Sequence, residues 1–145
     1  MPNLKLAFML LNYLDLSHFN MRGCDFSNVS AIEIKMESAN LSNCNFNDAK
    51  LKNASFKESV ISKSTFERAN MSNADLQKVI AKDCIFIKTK LNNADMREGD
   101  FESCNFNEAN LYQANLERSN LQRASMTSAN VERANITNLR GGAIG

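Results

Sequence analysis

Every fifth residue from Leu16 to Ile136 is apolar, at all 25 positions. Hydrophobic residues make up 43% of the chain, so such a run in one preset frame has a chance probability on the order of 10⁻⁹. A helix repeats its faces every 3.6 residues and a strand every two, and neither produces a period of five. The chain must therefore turn back on itself at short, regular intervals.

The residue two before each apolar centre carries a second signal. Of the 23 such sites from Cys24 to Ala134, 20 are Ala, Cys, Ser, Thr or Gly, and the exceptions are Val29, Ile34 and Val79. Large and small inward positions thus alternate, as a narrow close-packed interior requires. The residue just before the centre is Asn or Asp at 15 sites, Asn40, Asp75, Asn110 and Asn115 among them. These side chains bond nearby backbone and favour tight turning.

The motif Ala-[Asn/Asp]-Leu stands at 39–41, 74–76, 109–111 and 114–116. This resembles the pentapeptide-repeat family, and the likeness runs unbroken over residues 14 to 138. The resemblance implies an all-β fold, a right-handed quadrilateral parallel β-helix with four repeats per coil. About six coils of 20 residues are expected, a rod of about 29 Å at the usual strand spacing. The coil size has support within the chain itself. Phe26, Phe46, Phe66, Phe86 and Phe106 recur every 20 residues, and so do the small sites Cys24, Cys44, Ser64, Cys84 and Cys104 ahead of them.

Outside this frame, residues 1–13 read as an N-terminal apolar cap over the first coil. Residues 139–145 read as a short glycine-rich tail. The open last coil suggests a homodimer through the C-terminal coil, because family members often pair at an end. No apolar run reaches transmembrane length, and Leu6 to Leu11 is too short for a signal sequence. A cytoplasmic location follows as the expectation, with a secreted effector left open.

Candidate chemistry is sparse. The four cysteines fall in one inward column and read as small buried hydrophobes in a reduced core. No cofactor or metal is expected. His18, the only histidine, is outward and unaccompanied by a nucleophile. Asp75 with Asp95, and Asp100 with Glu102, pair acids on neighbouring faces beside Lys78 and Arg97. Asn53, Asn73, Asn93 and Gln113 form an outward amide column of structural character. The chain is expected not to be an enzyme.

The outward faces speak to partners. Quinolone-resistance pentapeptide proteins bind DNA gyrase by resembling duplex DNA in size and negative charge. The present chain has a net charge of +1, no acidic stripe on any face and no loop interrupting the repeat. Lysines such as Lys50, Lys52 and Lys90 are too few for a nucleic-acid footprint. What stands out is an apolar group on an otherwise polar surface: Val60 and Ile80 on the face of Met21, and Ile85 and Ile87 around the next corner. The expected function is a non-catalytic protein-binding or scaffold module presenting a rigid surface. The alternatives are a DNA-mimic modulator of gyrase or topoisomerase and a bacterial effector acting on a host protein.

Overall fold

The computed structural model describes residues 1–142. Every five residues perform the same sequence of moves. A large side chain points inward, two residues turn the corner, a small side chain points inward, and one residue forms a rung with the next coil. The rungs are parallel bridges between residues 20 apart, from Lys5↔Asp25 through Asn120↔Arg140. Four five-residue sides therefore close each turn.

Four backbone hydrogen bonds sustain a typical side, one of them from the second corner residue. The N–H of Phe46 donates to the carbonyl of Thr65 in the next coil at 2.7 Å, and the N–H of Asn45 donates back to Cys24 at 3.1 Å. Across the corner, the N–H of Ala49 donates to the carbonyl of Phe46 at 3.1 Å. The second corner residue lies in the left-handed region, as at Asn53 (φ 59°), Lys63 (φ 61°) and Arg118 (φ 58°). That conformation costs a side-chain-bearing residue about 1–2 kcal/mol. It is held because the same residue's N–H is engaged by the next coil, as in Asn53 N–H to Ser72 O at 3.0 Å.

The frequent Asn or Asp before each centre now has a cause. The first corner residue's N–H lies outside the ladder, and the rung residue two positions earlier accepts it through Oδ1. Asn45 holds Asn47 N–H at 3.0 Å, Asn110 holds Tyr112 N–H at 3.0 Å and Asn115 holds Glu117 N–H at 3.1 Å. Where the rung lacks such an oxygen, a corner side chain one coil back can supply it. Asn12 reaches Ile32 N–H at 2.8 Å and Asn47 reaches Glu67 N–H at 2.9 Å.

The interior is packed in columns. Rings of the phenylalanine column lie nearly parallel, with centroids 4.6 Å apart for Phe26–Phe46, 4.8 Å for Phe46–Phe66, 5.0 Å for Phe66–Phe86 and 4.9 Å for Phe86–Phe106. Phe56 meets this column edge-on from the opposite side of the coil, and Phe101 from a neighbouring side. The cysteine column is buried and its thiols are free. Cys44, Cys84 and Cys104 donate their S–H to the carbonyls of Met21, Ile61 and Ala81. Ser64 in the same column donates to Leu41 O at 2.8 Å and accepts from Cys44 N–H at 2.9 Å, standing in for the usual bond across that corner.

The three oversized residues at small sites are compensated by undersized centres. Val29 and Ile34 flank Ala31, Val79 precedes Ala81, and all five are buried. Gly99 makes the opposite adjustment beside Phe101. The coil cross-section thus stays nearly constant while its filling varies.

Two expected boundaries are corrected. Residues 1–13 are not a separate cap but part of a coil, with Lys5 and Leu10 bridged to Asp25 and Ser30. In this coil the small sites hold Leu4, Met9, Leu14 and Phe19, all partly exposed. In the described residues a coil stacks on them from one side only, which leaves room for larger side chains. At the other end the tail does not begin at residue 139. Leu139 packs on the core and Arg140 bridges Asn120. The last three residues of the expected tail, 143–145, lie outside the described residues.

Candidate protein-binding surface

Most outward residues of the rod are polar, and several of their charges are paired. Arg68 holds Asp48 at 2.8 Å and Glu67 at 2.6 Å, and Arg97 holds Asp95 at 2.6 Å. Lys82 joins Glu102 at 2.9 Å and Asp100 at 3.3 Å, and Arg123 closes on Glu102 from the following coil. The hydrogen bond from Arg68 holds the Asp48 carboxyl below its ordinary range, and that from Lys82 does the same for Glu102. Exposed pairs of this kind add little stability. Their effect is to break up what would otherwise be stacked acids.

The paired acids singled out from the sequence are brought together but committed. Asp75 and Asp95 bridge each other, and Asp100 and Glu102 share Lys82. The amide column is joined in part, with Asn73 Nδ2 donating to Asn53 Oδ1 at 3.1 Å. His18 stands at a left-handed corner. Among the described residues, no group of three or more His, Cys, Asp or Glu side chains is gathered to hold a metal ion. No helix is long and apolar enough to cross a membrane.

The four aliphatic residues occupy two adjacent faces. Val60 and Ile80 are bridged to each other on the Met21 face, and Ile80 is 44% exposed. Ile85, 36% exposed, is bridged to Thr65 on the Phe26 face, with Ile87 half-buried at its corner. The corner carrying Lys82 and Asp83 runs between the two groups. They form a strip and a shoulder rather than one continuous patch.

A larger apolar surface lies on the N-terminal coil and was not anticipated as a candidate site. Phe8 (75% exposed), Leu10 (81%) and Tyr13 (71%) project outward there. Extending the five-residue frame back to Met1, Leu6 and Leu11 would have marked Phe8 and Tyr13 as corner residues and Leu10 as a rung.

Residues 10–43, 39–77, 69–107 and 104–138 match the family of pentapeptide repeats, eight copies in all. The chain belongs to the pentapeptide repeat family. Among solved pentapeptide repeat proteins it is similar to HetL, involved in heterocyst differentiation regulation in the cyanobacterium Nostoc sp. strain PCC 7120. The identity is 18%, the TM-score 0.58, and the match covers 96% of this chain and 85% of that one. It is also similar to trypsin-treated QnrB1, a plasmid-mediated fluoroquinolone resistance protein. There the identity is 18%, the TM-score 0.59 and the coverage 99% and 84%. At this identity the likeness is one of fold, the right-handed β-helix solenoid of pentapeptide repeat proteins. No curated protein sequence matches the chain.

Proposed function

We propose that this pentapeptide repeat protein is a non-catalytic binding module that docks another protein through Val60, Ile80, Ile85 and Ile87. The observation that carries the reading is the identity of the rung residues. Rungs elsewhere along the rod are mostly Asn, Asp, Ser or Lys, whereas Val60 and Ile80 are consecutive aliphatic rungs with Ile85 next in chain order. Apolar side chains exposed on two adjacent faces of an otherwise polar rod mark a contact surface. The rigid ladder holds these side chains in place, so little conformational entropy is lost on docking.

The fold shared with QnrB1 keeps gyrase modulation as the second reading. DNA mimicry calls for an unneutralised acidic face, and the ion pairs of Arg68, Lys82, Arg97 and Arg123 work against one. Action on a host protein is the third reading and would use the same apolar strip. Exposed Val131 and Ile136 on the last coil support a homodimer through that end. Light scattering showing only a monomer at high concentration would remove it. Buried thiols suit the cytoplasm.

The test is affinity capture with the native protein beside a Val60→Asp/Ile80→Asp variant. A partner held by the native rod and released by the folded variant supports the site. A partner retained equally by both removes it. Recovery of a gyrase subunit would promote the second reading.

A further inference from the structure

Each rung residue does more than bridge two coils, since its side chain normally caps the N–H two residues on. Val60 and Ile80 carry no acceptor. Among the described residues, the N–H groups of Ser62 and Lys82 are reached by no backbone or side-chain oxygen. The two belong to the same corner in consecutive coils, about 4.8 Å apart. They stand immediately beside the aliphatic strip. The coil before them is capped normally, with Asn40 Oδ1 accepting from Ser42 N–H at 3.1 Å. The coil after them is capped by Asp100, which accepts from Glu102 N–H at 3.3 Å.

The charges at this corner have been largely assigned. Lys82 is committed to Asp100 and Glu102. Lys63 follows Ser62, is exposed and makes no ion pair among the described residues, including none with Asp83 in the next coil. The corner therefore offers two aligned backbone donors, with the Lys63 ammonium beside Ser62 and the exposed Asp83 carboxylate beside Lys82 both outside the ion pairs, flanked by branched aliphatic side chains. Ionised acceptors bind such donors most strongly.

We propose that the Val60–Ile80 strip takes an extended peptide carrying an aliphatic side chain beside an aspartate or glutamate. The aliphatic group lies on Val60 and Ile80. The carboxylate accepts from Ser62 N–H and Lys82 N–H, taking the place that an Asn or Asp side chain fills elsewhere on the rod. Lys63 adds charge attraction. This inference rests on the docking surface proposed above and adds the chemistry of its occupant.

The experiment is selection of random ten-residue peptides displayed on phage against the full-length protein. Fluorescein-labelled copies of the enriched peptides are then titrated against native protein and a Val60→Asn/Ile80→Asn variant. That variant carries the residue most common at rungs, so it is expected to fold, and its own amide oxygens occupy the two N–H groups. The expected result is enrichment of Leu, Ile or Val next to Asp or Glu. Exchanging that acid for its amide should weaken binding about tenfold or more, and the Val60→Asn/Ile80→Asn variant should lose at least as much. Enriched peptides that lack an acid, yet fail on the variant, would overturn the acidic chemistry and leave the docking surface standing. Enriched peptides that bind the variant undiminished would overturn both, as would a selection with no enrichment.

Discussion

Gly99 and Phe101 share one volume: a Cβ added to Gly99 would lie 2.4 Å from Cε2 of the Phe101 ring and 2.9 Å from its Cζ. The ring is fully buried and meets Phe86 and Phe106 edge-on, so it has little freedom to retreat. Gly99→Ala should therefore destabilise the rod by about 1–3 kcal/mol through overpacking. Phe101→Leu in the same chain should recover part of that loss. Urea midpoints of the two single variants and the double variant check this, and strictly additive effects would show that the two positions do not share space.

Phe66 sits between Phe46 and Phe86 in the stacked column. Removing its ring leaves a void bounded by two parallel rings in a ladder that cannot collapse without breaking bridges. Phe66→Ala is expected to lower stability by about 3–5 kcal/mol. Denaturant unfolding followed by circular dichroism provides the measurement, and an unresolvable midpoint shift would count against the column as a source of stability.

The exchange of volume around Ala31 is testable as a swap. Ala31→Leu alone should clash with Ile34 and Val29. Ala31→Leu combined with Ile34→Ala restores the ordinary pattern of large centre and small flank. We expect the double variant to be more stable than Ala31→Leu alone, with a coupling of about 0.5–3 kcal/mol. Equal thermal midpoints for the two would refute the compensation.

The cysteine column makes a prediction about alkaline pH. Burial pushes the Cys44 thiol from 9.0 up to about 12, and burial with the neighbouring Cys84 also raises Cys104. The folded state thus favours the protonated thiol. The Cys44 contribution is complete below pH 9 and is lost as pH rises toward about 12. Urea midpoints between pH 8 and 11 should fall, and Cys44→Ala should flatten the slope. In the native state at pH 8 these thiols should resist iodoacetamide and react only on unfolding.

Much of this was legible in the sequence because the period of five is enforced at every turn. A coil of 20 residues follows from the Phe26-to-Phe106 spacing, and the ladder realises it. The N-terminal boundary was misread for a physical reason. Leu4, Met9, Leu14 and Phe19 violate the small-site rule, which holds only where another coil lies on both sides. The apolar centres Met1, Leu6 and Leu11 kept the frame and were the better guide. Val60 and Ile80 could be picked out as apolar, but their second consequence could not. Only the hydrogen bonding shows that an aliphatic rung leaves the N–H of Ser62 or Lys82 without its cap.

The 20-residue register has a consequence for how such a chain can change length. Duplicating or deleting a whole coil lengthens or shortens the rod and leaves every later residue on its original face. Gaining or losing a single five keeps the inward and outward pattern intact but turns all downstream faces by a quarter. One small, fold-preserving indel upstream of residue 60 would thus carry the Val60–Ile80 strip to a different compass point relative to the first coil. In this architecture an insertion acts as a rotary setting, and surfaces can be re-aimed relative to one another without altering a residue in either.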